Sequence, residues 1–199
     1  VTAVLVTAPA EVLAARLAED TSAEVLLLEA GRDYRSAETP HAFRTPDLDM
    51  DPAANPDFWW QNVTAVRNPE QEEAYYARGR GVGGTSTVNA MYAIRGVPED
   101  YDGWAESGAK GWSFDEVLPY FRRLEDDLAH GDRPYHGTGG PIPIFREPED
   151  GWGAVDLAFA EAVQDLGYGW ADDHNAPDAT GLSPFAVNMR DGRRVSTND

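Results

Sequence analysis

The residues whose types and spacing suit chemistry are concentrated in Gly79-Arg80-Gly81-Val82-Gly83-Gly84-Thr85-Ser86-Thr87-Val88-Asn89-Ala90-Met91. Four glycines within six residues give a backbone that can approach another surface closely and turn sharply. Such a loop presents several N–H groups to a phosphate, and Thr85 or Ser86 can cap a following helix whose N-terminus favours anions. By itself the pattern also describes an ordinary turn between two elements. The other chemically capable residues are scattered. Histidines 41, 130, 136 and 174 show no metal-ligand spacing. Asp172-Asp173-His174-Asn175 offers oxygens and an imidazole in a pattern that fits no metal template, and it reads as a polar surface loop. The chain has no cysteine, which excludes disulfides, thiolate metal sites and cysteine nucleophiles.

The elements that must position the loop begin with a βαβ pattern. Residues 4–6 form a short apolar run, and residues 11–20 have helical spacing with Val12, Leu13, Ala15, Leu17 and Ala18 apolar. Residues 25–28 predict a second buried strand. That strand ends in Glu29, where a carboxylate in a dinucleotide-binding fold accepts hydrogen bonds from a ribose; a solvated strand end is the alternative. The intervening turn, Thr7-Ala8-Pro9-Ala10-Glu11, lacks the glycines that bring a backbone against a pyrophosphate. Its Cβ atoms hold a ligand away, Pro9 removes a donor, and Glu11 puts negative charge where a phosphate would sit.

Further along, residues 33–67 form a Pro-, Asp- and Asn-rich excursion around Phe58-Trp59-Trp60-Gln61. Trp59 or Trp60 either pins this loop to the core or packs near a ligand's rings. Ser113 and Glu116 predict a capping box before Val117, Leu118, Phe121 and Leu124. Residues 136–144 read as a tight turn entering a strand. Residues 155–166 predict an amphipathic helix with Leu157, Ala158, Val163 and Leu166 inward, closed by Gly167.

Gly-Arg-x-Val-Gly-Gly-Thr-Ser-x-Val-Asn from Gly79, followed by Ala93, Gly96 and Asp102, resembles the first signature of the glucose–methanol–choline (GMC) flavoprotein oxidoreductases. Leu26-Leu27-Leu28-Glu29-Ala30-Gly31, the segment from His136 and the final Gly192-to-Asp199 segment resemble the same family. In that family a segment like the one from His136 opens the substrate-side sheet, so the resemblance implies that His136 is a turn residue and not a base. The resemblance implies an α/β fold (an α+β mixture), with a Rossmann-like FAD-binding βαβ portion. It implies a partial FAD-binding domain over residues 1–130 and the beginning of a substrate-binding domain over 131–199. It also implies bound FAD. Val88 stands next to the position where some members carry a flavin-linking histidine, so the flavin is expected to be held non-covalently. The implied cofactor-facing residues are Glu29, Ala30, Trp60, Arg80, Val82 and Gly83, then Gly84, Thr85, Ser86, Asn89, Ala90 and Met91. No residue matches the family's catalytic base, which lies in a later part of the family's chains.

Composition narrows the partners. The 199 residues are 42% hydrophobic, enough for a core, and 35 acidic against 16 basic residues give a formal charge of −19. That charge disfavours a nucleic-acid backbone or an anionic membrane. No apolar run approaches the ~20 residues that span a bilayer, and the first residues lack a signal-peptide order, so a cytoplasmic protein is expected. The expected function is the N-terminal portion of an FAD-dependent oxidoreductase that takes hydride from the CH–OH group of a small alcohol. The alternative is a non-catalytic module that has lost FAD. Either is expected to associate with a complementing polypeptide or with itself, because a sheet cut through its strands leaves apolar faces and edges uncovered.

Overall fold

A computed structural model describes residues 10–20, 24–34, 37–45, 52, 55–197 and 199. The expected first strand at residues 4–6, and Thr7, Ala8 and Pro9 of the turn after it, lie outside the described residues. The elements in chain order are α1 (Ala10–Asp20), α2 (His41–Arg44), β1 (Thr64–Ala65), β2 (Ala74–Tyr75), α3 (Pro98–Glu106) and α4 (Phe114–Leu124). They continue with β3 (Glu125–Asp127), β4 (Ile142–Ile144), α5 (Ala154–Asp165), β5 (Met189–Arg190) and β6 (Arg193–Arg194). This is the mixed helix-and-sheet class expected from the sequence. The chain forms two compact units, Val1–Met91 with Gly192–Asp199, and Tyr92–Asp191. These are divisions of packing, whereas the expected boundary at 130/131 divides binding roles.

In the first unit the core is Phe43, Phe58, Trp59 and Val88, with Tyr34 and Ala77 packed against it. The Phe43 and Phe58 rings lie 4.1 Å apart, and Tyr34 stacks on Phe58 at 5.2 Å. Burying each such aromatic contributes roughly 1.5–3 kcal/mol, so the excursion is held to the glycine-rich stretch through Val88. β1 and β2 pair antiparallel, Thr64 opposite Tyr75, and form the hairpin that leads into that stretch.

One expected element of this unit is corrected. Residues 25–28 join no strand ladder among the described residues, and Leu26 and Leu28 are more than half exposed. An apolar run becomes an inner parallel strand only when neighbouring strands and covering helices exist to bury both its faces. Helix α1 forms as expected, with Val12 and Leu13 exposed.

The second unit is organised on Tyr101. Its ring meets Trp104 at 5.3 Å, Phe121 at 5.7 Å and Phe114 at 6.1 Å, which joins α3 to α4. Helix α4 starts as predicted: the Glu116 carboxylate accepts from Ser113 N at 3.1 Å and from its Oγ at 2.6 Å. Asp102 accepts from Phe114 N at 2.9 Å and fixes the entry to the helix. Leu124, at its end, is exposed. β3 and β4 pair in parallel, Glu125 opposite Ile142, so the turn from His136 does enter a strand. α5 departs from expectation. Leu157, Ala158 and Leu166 are exposed, Val163 is half-buried and Ala160 is the buried residue. Helical period fixes which residues share a face, but burial needs an element to meet that face. No described helix is long and apolar enough to cross a membrane.

Candidate functional site

The glycine-rich stretch closes on itself and on residues 29–32. A Cβ at Gly31 would lie 2.4 Å from Gly81 N, and a Cβ at Gly79 would lie 2.4 Å from Gly84 O. Both positions therefore require glycine because backbone meets backbone. Gly83 (φ +87°) and Gly84 (φ +51°) supply the left-handed turn, and Met91 takes φ +61° at the end of the stretch.

The amides between Gly81 and Gly84 all have acceptors. Gly81 N donates to Glu29 Oε1 at 2.9 Å, Val82 N to Arg32 O at 3.1 Å, Gly83 N to Glu11 Oε1 at 2.9 Å and Gly84 N to Gly81 O at 2.8 Å. Glu29 Oε1 also accepts from Gly31 N at 2.8 Å, so the acid at the end of the apolar run organises the loop instead of standing free in solvent. Arg80 reaches back to Ala30 O at 2.8 Å, and its guanidinium lies 5.5 Å from the Trp60 ring. The tryptophan pair divides its roles: Trp59 is buried in the core, and Trp60 is exposed beside Arg80.

The second half of the stretch is one four-residue 3-10 turn, Gly84–Thr87, and not the longer helix that Thr85 or Ser86 was expected to cap. Thr85 instead accepts from Gly79 N at 3.1 Å, and Ser86 Oγ lies 3.0 Å from Thr197 Oγ1. A loop that places its hydroxyls on its own backbone has none left to cap a helix, so the anion-favouring N-terminus expected here does not form. Asn89 Oδ1 accepts from Met91 N at 2.9 Å and from Arg194 Nη1 at 2.8 Å, while Asn89 O accepts from Arg194 Nη2 at 2.6 Å. Arg194 Nε donates to Phe43 O at 3.0 Å. Burial lowers the Arg194 guanidinium to about 10, which leaves it a cation at neutral pH. The sequence thus brings Glu29, Ala30, Arg80, Val82 and residues 83–91 into one interlocked loop, with Trp60 at its rim.

A second cluster escaped the sequence reading. His136 is 1% exposed, with Nδ1 2.7 Å from Glu125 Oε1 and 3.2 Å from Asp127 Oδ2, and Nε2 2.7 Å from Asp173 Oδ2. Arg146 bridges Asp127 at 2.8 Å and Asp173 at 2.6 Å, and Arg95 meets Glu125 at 2.6 Å. Burial would push His136 down, but the hydrogen bonds to Asp173 and Glu125 and the charge of Asp127 outweigh it and raise the imidazole to about 9. Burial opposes ionisation of Glu125, Asp127 and Asp173 as well, yet their partners hold all three below the usual carboxylate range.

The expected surface loop is therefore corrected: Asp173 and Asn175 are buried, and Asn175 ties Ala93 O and Arg95 N to it. One signal was present in the sequence. Glu125 and Asp127 stand two apart on a strand and so face the same side. Ligand atoms of Glu125, Asp127 and His136 come within 4.8 Å of one another. The two arginines and the imidazolium already supply three positive charges to the three carboxylates, so this is a closed ion-pair lattice with no charge left for a cation to balance.

Comparison with known proteins agrees with the loop. The family profile described as GMC oxidoreductase matches residues 10–199. A 5-(hydroxymethyl)furfural oxidase from Methylovorus sp. (strain MP688) is 37% identical over 191 residues, covering 93% of this chain and 36% of its own length. The crystal structure of pyridoxine 4-oxidase from Mesorbium loti superposes with a TM-score of 0.82 at 36% identity, over 98% of this chain and 38% of that one. A structure of formate oxidase from Aspergillus oryzae RIB40, described for its FAD modification, gives 0.79 at 26% identity over 94% and 34%. The chain thus spans a little over a third of the length of these relatives. With a family match over all but the first nine residues and a loop whose glycines are demanded by backbone contact, the chain belongs to the GMC oxidoreductase family.

Proposed function

We propose that this chain is the cofactor-side part of an FAD-dependent oxidoreductase acting on the CH–OH group of a small primary or secondary alcohol. The observation that carries the reading is the interlocked loop, in which Gly31 and Gly81 bring residues 29–32 against the glycine-rich stretch, Gly79 closes that stretch on Gly84, and Glu29 stands at the junction. What suits a flavin is the edge of this packed loop, where Glu29 and Trp60 are exposed beside Arg80. When bound, FAD supplies the acceptor for a hydride leaving the alcohol carbon.

This chain's own residues bind and orient. Glu29 holds the Gly31 and Gly81 amides and offers its carboxylate to a ribose. Trp60 and Arg80 form an exposed aromatic–cation pair at the rim, suited to a ring face. Arg194 fixes Asn89, which holds the backbone of Ala90 and Met91 in register beside it. Val88 leaves the attachment non-covalent. His136 is held as an imidazolium between carboxylates at neutral pH and so cannot take a proton. On this reading none of the described residues is assigned as the base that accepts the hydroxyl proton. The proposal includes a cytoplasmic location.

The partner in this reading is a complementing polypeptide, supported by α5, where Val155, Phe159 and Leu166 are 82%, 60% and 77% exposed. The test is a titration of the purified chain with FAD, followed by quenching of flavin fluorescence. Saturable, one-to-one uptake supports the reading. A colourless protein that takes up no FAD favours the non-catalytic module.

A further inference from the structure

The acceptor on Gly83 is the feature of the loop that its closure does not require. Val82 N and Gly84 N bond to backbone carbonyls, and Glu29 holds two amides at once. Gly83 N is met by a single carboxylate oxygen from Glu11, 72 residues earlier, in the first turn of α1. Gly83 is buried, and the carbonyl of the same peptide unit, Val82 O, accepts from Thr87 Oγ1 at 3.2 Å, so this peptide cannot swing to a new orientation without breaking that hydrogen bond. The amide direction is therefore fixed and only its acceptor can be exchanged.

We propose that Glu11 is a built-in anion that competes with a cofactor phosphate for the Gly83 N–H and thereby sets the affinity of this chain for a dinucleotide flavin. The proposal rests on the flavin-binding reading above and deepens it. An N–H at a glycine turn, beside the positive end of a helix, is the kind of donor a phosphate takes. Here a carboxylate on the same helix already takes it at 2.9 Å. A phosphate arriving at Gly83 must displace that carboxylate or lie beside it, and either route costs binding free energy through lost hydrogen bonding or like-charge repulsion. A flavin without phosphates meets no such competition.

The experiment compares the purified chain with Glu11→Gln, which keeps the size and an acceptor but removes the charge, and Glu11→Ala, which removes both. Each is titrated with FAD and with riboflavin, which has no phosphate, and the dissociation constants are read from fluorescence quenching. The expected result is FAD binding about fivefold tighter in both variants, including uptake where the parent chain shows none, with riboflavin binding unchanged. If Glu11→Ala fails to fold by circular dichroism, Glu11→Gln decides. Equal FAD affinity in parent and variants overturns the proposal while leaving the flavin reading intact. An equal gain for riboflavin also overturns it, because the effect then has nothing to do with phosphate. No uptake of either flavin by any form overturns both readings.

Discussion

The lattice around His136 and the loop around Gly83 both hold carboxylates, but they balance them differently. In the lattice Glu125, Asp127 and Asp173 meet Arg95, Arg146 and a protonated imidazole, and each of the three cations stands between carboxylates or against one at 2.6–2.8 Å. In the loop Glu11 and Glu29 meet backbone amides. A buried set of opposite charges that closes on itself has no room for another ion and acts as structure; breaking it leaves a charge uncompensated in a poorly solvated place. A carboxylate on a backbone amide is a weaker and exchangeable arrangement, because a different anion makes the same hydrogen bond. The region with more ionisable groups is thus the less reactive one.

The sharpest way to break this contrast is to open the lattice. Arg146→Ala should cost about 3–5 kcal/mol of stability, read from urea denaturation, because Asp127 and Asp173 lose their shared partner. A cost no larger than that of an exposed ion pair, about 0–1 kcal/mol, would mean that the lattice is not closed. Next comes pH. The folded imidazole sits at about 9 against an unfolded 6.5, so its contribution is fully present below pH 6.5 and is lost as pH rises through about 9. Glu125 and Asp127 are lowered instead, so their contribution is present above the ordinary carboxylate range and is lost on acidification. The melting temperature should therefore be level between the ordinary carboxylate range and pH 6.5, fall as pH rises from 6.5 to about 9, and fall again on acidification through the carboxylate range. A midpoint that holds steady or rises between pH 6.5 and about 9 would contradict the assignment.

Smaller effects belong to the loop. Gly31→Ala, whose Cβ would lie 2.4 Å from Gly81 N, should cost about 1–3 kcal/mol and weaken flavin uptake. Gly84→Ala meets nothing within 4 Å and pays only for its positive φ, about 1 kcal/mol. Comparing the two by thermal denaturation separates the need for close approach from the need for a left-handed turn. Equal costs would show that the backbone contact at Gly31 is not tight.

Glycine spacing made the loop legible from the sequence, because no other residue tolerates both the contacts at 31 and 79 and the dihedrals at 83 and 84. The helix at 113–116 was legible for an equally local reason, since its cap is written within four residues. The lattice was not legible. Its six members come from residues 95 to 173, and nothing local distinguishes a buried Asp173 from the solvated acids that surround it in a chain of charge −19. The strand at 25–28 and the inward face of α5 were overread for the opposite reason. Their apolar pattern is local, but burial depends on an element arriving from elsewhere. The role of Glu11 was half legible: its charge at the helix start was visible, and its grip on Gly83 was not.

Residues 79–91, with Glu29, are proposed here as a flavin-facing loop. The most direct test is the visible absorption spectrum of the purified chain and of Glu11→Gln after incubation with FAD and removal of the free flavin. A retained flavin spectrum is expected, stronger in Glu11→Gln than in the parent chain. A folded protein that stays colourless in both forms would contradict it.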